Sequence, residues 1–371
     1  MKKFLYILLS VLALSHLLSA CTTPDEPDAS VSAMPSSSVT IQPTEIVVSA
    51  SPVTFIFNDS EASTYLSLYH QLAYLKMQNA GYQINSIYVN ESSDMQSVFS
   101  QMESEGVEYA VITSRSLWEQ SKIYMQNNNS SITIMQYSDD IYSSITAYNI
   151  KLYEYYYLAG VALCNESTTK IAGFVADSPS EQTIQCINAF ALGMKSIDVD
   201  SKVILKWLDQ SADEGNAAQL VSDLSAQGCD VFAYYMDGDM VEKAANDVNS
   251  KYMTMSTHTF LNVDSNIAIK PNISLDKYYA EVMNNQNLNS FSYLGIQNSV
   301  VGYELSTTVT DETRSNMASA YSNIQNGYEV FSGPIYSKLG LIVPQGSSIP
   351  TEDILDMLWL VDSVDGDLPA G

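Results

Sequence analysis

The 371-residue chain carries 42 Asp and Glu against 16 Lys and Arg, a formal charge of −26, although only 16% of its residues are charged. So acidic a chain repels phosphate backbones, which argues against nucleic-acid binding. Its 46% hydrophobic content is enough for a large core and excludes disorder over most of the length.

Met1 to Ala20 reads as a secretory signal: two lysines, an apolar run, then small residues. It ends in Leu18-Ser19-Ala20-Cys21, which resembles the bacterial lipobox and makes Cys21 the expected lipidation site. Processing there removes Lys2 and Lys3 and no acids, taking the charge from −26 to −28. Residues 21–52 follow as a Pro/Ser/Thr-rich tether holding five of the 11 prolines. That composition cannot form a core, and fully extended it reaches up to roughly 100 Å. No later segment approaches the ~18 apolar residues of a membrane span. The expected location is therefore the extracytoplasmic face of a bacterial membrane, with contact to the membrane through the lipid anchor only.

From residue 53 short β-rich runs alternate with helical patterns. Val53–Phe57 is a strand ended by Asn58-Asp59-Ser60, and a helix through Leu66, Tyr69, Leu72 and Met77 stops at Gly81. A strand over 82–89 precedes a helix with Met95, Val98, Phe99 and Met102 on one face, stopped by Gly106. Strands at 109–112 and 132–135 come next. Helices at 151–164, 181–196, 215–227 and 239–249 then alternate with strands at 171–175, 203–208, 231–235 and 252–255. This alternation predicts right-handed βαβ crossovers and parallel sheets, with ligands beyond the carboxyl ends of the strands. Cys164, Cys186 and Cys229 sit among apolar neighbours and read as buried free thiols.

Histidine occurs only at positions 16, 70 and 258, which leaves little room for a His-rich metal site. There is no GxGxxG after the first strand, no P-loop and no G-x-S-x-G elbow. No cofactor, metal site or catalytic residue is expected. The 25 tyrosines, against 10 Phe and 3 Trp, suit wet surfaces and ligand clefts.

Several stretches resemble the BMP family (basic membrane protein, Med-like and PnrA-like) of ABC-transporter substrate-binding lipoproteins. They are Tyr155-Tyr156-Tyr157-Leu158-Ala159-Gly160-Val161-Ala162, Ile187-Asn188-Ala189-Phe190-Ala191-Leu192-Gly193, Val203 to Trp207, and Gly228-Cys229-Asp230-Val231. The C-terminal part is similar as well: Asn326-Gly327, Phe331-Ser332-Gly333-Pro334-Ile335 and Met357-Leu358-Trp359-Leu360-Val361-Asp362. Their collinear order covers about residues 53–369. The resemblance implies a type I periplasmic-binding-protein fold, two doubly wound α/β lobes with a hinge and an interlobe ligand cleft. Lobe 1 is expected over about 53–148 and 256–300, and lobe 2 over about 149–255 and 301–345. It further implies a solute-binding protein of an ABC importer, not an enzyme, that takes a purine nucleoside and meets an ABC permease and ATPase. The acidic surface disfavours anionic solutes and tolerates neutral or cationic ones, so a neutral small molecule is expected.

Candidate ligand residues follow from the strand ends and from that resemblance. Asn58 and Asp59 end the first strand, where the family reads the base; an Asx turn capping the next helix is the other reading. Tyr65 is the aromatic expected to stack on a base. Thr113 and Ser114 either donate to the ligand or cap the helix near Leu117. Asp237 matches the family position for an acid on ribose hydroxyls, or is a turn acid beside Gly238. His258 falls near the cleft by topology, although a lone His is more often a packing or surface residue.

The pattern also departs from the family. The loop Leu208-Asp209-Gln210-Ser211-Ala212-Asp213 lacks the second stacking aromatic, Arg115 replaces a Phe or Tyr, and Ile267 to Asn272 replaces a Ser/Thr-rich stretch. These losses keep open a ligand-sensing or surface-interaction lipoprotein with the same fold and no transport role.

Overall fold

The computed structural model describes residues 52–90, 92–209, 211–257, 266–284 and 289–369. The expected signal, Cys21, nearly all of the tether and His258 lie outside these residues. The chain opens with β1 (Val53–Asn58), α1 (Tyr65–Asn79), β2 (Ile84–Val89), α2 (Met95–Ser104), β3 (Tyr109–Ile112), α3 (Trp118–Asn127), β4 (Thr133–Tyr137) and β5 (Ile145–Ile150). It continues with α4 (Leu152–Glu166), β6 (Ile171–Ala176), α5 (Glu181–Lys195), β7 (Lys202–Trp207), α6 (Glu214–Ala226), β8 (Val231–Tyr235), α7 (Met240–Asp247) and β9 (Lys251–Met253). The last part comprises β10 (Ile267–Ile273), α8 (Leu275–Asn284), β11 (Phe291–Leu294), β12 (Val301–Leu305), α9 (Asp311–Gln325), β13 (Ile335–Ser337), β14 (Gly340–Val343), α10 (Thr351–Leu355) and β15 (Val364–Asp365).

Two sheets result. The first has the order β11-β5-β4-β3-β1-β2 and is parallel throughout. The second has the order β12-β10-β9-β8-β6-β7-β15 and is parallel except where β12 pairs antiparallel with β10. Every residue of β1 and of β5 is buried, as expected of inner strands covered on both faces. One face of the first sheet packs Ile56, Ile112 and Ile134 against Phe99 of α2 and Trp118 of α3. A larger core takes in α1 and runs through the second lobe.

Local chemistry sets the helix ends. Thr64, Asp94, Ser180 and Thr310 each accept a backbone N–H of the first turn with the side chain, satisfying donors the helix cannot pair itself. Asp213 and Asn216 form a capping box at α6. Gly81 and Gly106, the expected stops of α1 and α2, follow those helices with φ of 90° and 76°, a conformation that costs other residues energy.

Helices α4 and α5 pack through glycines. A Cβ on Gly160 would lie 2.1 Å from the carbonyl oxygen of Phe190, and one on Gly193 would lie 2.0 Å from that of Tyr157. The glycines of the two motifs thus make a reciprocal contact between backbones. Cys164, Cys186 and Cys229 are buried and unpaired. Burial pushes their thiols up, to about 11 at Cys164 and about 12 at Cys229, which keeps them protonated and inert.

Among the described residues the chain passes between the sheets at 150–152, 273–275 and 294–301. β10 lies within the 256–300 range expected for lobe 1, yet it pairs with β9 and β12 of the second sheet. Only after β10 does the chain cross, with α8 packing on α1. Two crossings are tied together by Glu154, in the first turn of α4, which accepts the backbone N–H of Ile296 at 2.6 Å. Glu154 is 5% exposed, and a Cβ on Gly295 would stand 2.4 Å from its carboxylate.

Candidate functional site

A cavity of about 240 Å³ lies between the lobes, where strands of both sheets end. Its first wall comes from the opening of α1. The Thr64 cap starts the helix there, so Tyr65, Leu66 and Tyr69 face the cavity from successive turns, joined by Glu61 of the preceding 3-10 turn. Its second wall comes from strand ends: Asp177 after β6, Tyr235, Met236 and Asp237 at and after β8, Met255 after β9, and Gln182 in the first turn of α5. Ile150 and Leu152 close the back at the hinge crossing.

The two walls are bonded to each other. The backbone N–H of Tyr65 donates to Asp237 Oδ1 at 2.8 Å, and the Tyr65 hydroxyl donates to the carbonyl of Gly238 at 2.8 Å. The Tyr69 hydroxyl donates to the carbonyl of Met255 at 2.7 Å. Farther along, Gln182 donates to the Tyr137 hydroxyl at 3.2 Å, and the Tyr293 hydroxyl donates to Gln185 at 3.0 Å. These contacts hold the lobes together over the cavity.

Behind Tyr65 runs a buried polar chain. Its hydroxyl lies 3.4 Å from that of Tyr234, which donates to the Glu242 carboxylate and accepts the N–H of Met255 at 3.1 Å. Thr254 also donates to Glu242. Burial raises the pKa of Glu242, and the hydrogen bonds from Thr254 and Tyr234 oppose the shift. Burial likewise pushes the Tyr65, Tyr69 and Tyr235 phenols well above their ordinary value, so the tyrosines that line the cleft are neutral.

The lining carries three carboxylates, Glu61, Asp177 and Asp237, and no Lys or Arg. Loss of hydration raises Asp237, opposed by the Tyr65 N–H, and raises Asp177, which the Asp237 charge pushes in the same direction. No group of three or more His, Cys, Asp and Glu that could hold a metal occurs among the described residues.

Of the expected ligand residues, the structure brings Tyr65 and Asp237 together on the cavity. Asn58, Thr113 and Ser114 stand behind the lining. Asn58 accepts the N–H of Ser60, an Asx-type turn, and donates to Glu61 at 3.2 Å and to Ser116 at 2.8 Å. Ser114 donates to Glu61 at 2.7 Å and accepts the N–H of Ser116, while Thr113 donates to the carbonyl of Ile56 at 3.1 Å. Asn58 and Ser114 thereby fix Glu61, which does face the cavity. Asp59 is exposed and outside the lining. Arg115 is paired with Asp139.

Sequence reasoning passed over Glu61, Asp177, Gln182, Tyr235, Met236 and Met255 as lining residues. The strand-end rule carried a signal for Asp177 and Met255, each of which lies just past a strand. A larger cavity of about 330 Å³ lies beside β11, the start of β5 and α8. It lies at the edge of the first sheet and reaches the crossing at Asn298 and Val300, and its lining includes no residue from the carboxyl ends of β6, β8 or β9.

Comparisons with known proteins give the family and the fold. Residues 56–327 match the Bmp family, described as ABC transporter substrate-binding protein PnrA-like. The chain is 25% identical over 239 residues to a purine-binding protein of Brucella abortus (strain 2308), covering 61% of this chain and 66% of that protein. It is 29% identical over 120 residues to a putative ABC transporter glucose-binding protein of Haloferax volcanii, covering 30% and 31%. The chain thus spans less than two thirds of the length of either relative. Among solved structures it is similar to a transcriptional activator of the comK gene from Bacillus halodurans, with a TM-score of 0.63, 18% identity and coverage of 74% of this chain and 98% of that one. An ABC transporter solute-binding protein from Conexibacter woesei gives a TM-score of 0.62 at 12% identity, with coverage of 74% and 96%. At these identities the two structures show the fold alone.

Proposed function

The chain belongs to the Bmp family of PnrA-like ABC transporter substrate-binding proteins, and from that premise we propose that it is an extracytoplasmic receptor that closes its lobes over a nucleoside-like molecule. It then presents that molecule to an ABC permease and its ATPase. The observation that carries the reading is the cavity at the strand ends of both sheets, walled by Tyr65, Tyr69 and Tyr235 and backed by the hinge crossing at Ile150 and Leu152. Aromatic side chains suit a base because stacking contributes about 1–3 kcal/mol per base. Asp237 keeps one carboxylate oxygen beyond the Tyr65 bond, which can accept a sugar hydroxyl. Hinge motion at the crossings admits the ligand and expels water from around it.

The purine-binding relative from Brucella abortus supports the choice of a purine, and the glucose-binding relative marks the competing one. A thermal-shift series with adenosine, guanosine and glucose separates them. At about 100 times its Kd a bound solute stabilises the protein by about 2.7 kcal/mol. A shift with a purine nucleoside and none with glucose is expected, and the reverse would overturn the ligand assignment.

The anchor is part of the same proposal. Cys21 carries the lipid and residues 22–52 act as the tether that lets the binding domain reach the permease. Among the described residues no helix is long and apolar enough to cross a membrane. Cys21→Ala should move the protein from the membrane fraction to the soluble one without changing its ligand affinity.

A further inference from the structure

We infer that the cleft favours a nucleoside-like molecule carrying a positive charge, a protonated amine or a quaternary nitrogen, and that Asp177 is the residue that reads this charge. The inference rests on the cleft being the binding site, as proposed above. Glu61, Asp177 and Asp237 face one cavity of about 240 Å³ with no basic side chain in its lining. Nearby cations are engaged elsewhere. Arg115 is paired with Asp139, Lys243 with Glu214 and Asp239, and Lys151 stands over the Tyr293 ring at 5.5 Å.

The three carboxylates differ in what they have left to offer. Glu61 holds Asn58 and Ser114 through one oxygen, and Asp237 holds the Tyr65 N–H. The half-buried Asp177 carboxylate takes no hydrogen bond from the side chain or backbone of any other described residue. Burial disfavours its ionised form, its own backbone N–H opposes that shift, and the Asp237 charge adds to it. A neutral solute leaves that repulsion in place and removes water from it. A cation in the cleft relieves it, and the walls formed by Tyr65, Tyr69 and Tyr235 suit a soft cation through their ring quadrupoles.

The test is isothermal titration of the whole chain in detergent at neutral pH and low salt. The probes are adenosine; 1-methyladenosine, which is cationic at neutral pH; 5′-amino-5′-deoxyadenosine; and choline. One cationic nucleoside or both should bind about tenfold more tightly than adenosine, the size of one partly desolvated charge pair. Added salt should erode that margin, and Asp177→Asn should bring the ratio of the two affinities to about one. Adenosine binding as tightly as both cationic nucleosides would overturn the inference and leave the nucleoside reading standing. Choline binding without any nucleoside would support the charge preference and overturn the nucleoside reading. No binding by any of the four would overturn both, and an unchanged ratio in Asp177→Asn would remove Asp177 from the role.

Discussion

Tyr65 and Asp237 meet across the cleft, the backbone N–H of the first donating to Oδ1 of the second at 2.8 Å. The bond joins the first residue of α1 to the loop after β8, so a residue expected to stack a base and one expected to hold a sugar also help to close the lobes. Asp237→Ala removes both the closing contact and an acceptor for the ligand. A lost hydrogen bond to a charged group costs about 1.5–3 kcal/mol, so binding of the best nucleoside should weaken by at least tenfold. Asp237→Asn, which still accepts from Tyr65, should lose less. Calorimetric titration of the two variants checks the order.

The carboxylate of Glu61 reaches the cavity because Asn58 and Ser114 hold it there. Ser114→Ala removes the shorter of those bonds, at 2.7 Å, from a residue outside the lining. A few-fold loss of ligand affinity is expected, with a stability change of about 1 kcal/mol. Titration combined with urea denaturation reads both. Loss of affinity as large as that of Glu61→Ala would show that the serine does more than position the acid.

The helix pair α4–α5 is set by its glycines. Gly160→Ala places a methyl 2.1 Å from the Phe190 carbonyl oxygen, and Gly193→Ala places one 2.0 Å from that of Tyr157. Both atoms are backbone and cannot rotate away, so the helices must separate. Each substitution should destabilise the protein by about 3 kcal/mol, and the pair should be less than additive because one displacement relieves both clashes. Denaturant midpoints of the two single variants and the double variant test this.

The buried hinge acid Glu154 makes stability depend on pH. Burial pushes its pKa up from 4.5 to about 6, against the opposing effects of the Ile296 N–H and Lys151. The folded state therefore holds the proton more tightly than the unfolded chain. The contribution from Glu154 is fully present below pH 4.5 and is lost as the pH rises through about 6, a change of about 2 kcal/mol. His70 acts in the opposite sense. Burial lowers its pKa from 6.5 to about 4, and it is wedged between the Leu66 carbonyl and the Tyr148 hydroxyl, so its contribution is lost as the pH falls through about 4. The two trends partly cancel in the wild-type protein. Glu154→Gln isolates one: it should match wild type at pH 4 and exceed it in stability at pH 7. Urea denaturation at both values checks it.

Much of the fold was legible in sequence. β1, the Gly81 and Gly106 stops and the alternation over 171–255 are local patterns that tertiary contacts reinforce. β5 was not read, because residues 138–144 return from β4 to a parallel neighbour without the helix a crossover usually has. Lobe membership of β10 was equally hidden. Pairing with β9 and β12 decides it, and no local feature of Ile267 to Ile273 distinguishes the two sheets. At the site, Tyr65 and Asp237 were accessible from strand ends and family resemblance. Glu61 and Tyr235 were not, because their place on the cavity depends on how Asn58, Ser114 and Gln182 hold them across elements distant in sequence.

Whether the interlobe cavity is the nucleoside site is decided by a crystal structure of the protein grown with adenosine or its tightest-binding cationic analogue. The base is expected between Tyr65 and the strand ends of the second lobe, with Asp237 within hydrogen-bond reach of the sugar. Ligand in the cavity beside β11 instead, or an interlobe cleft left without ligand at saturating nucleoside, would contradict it.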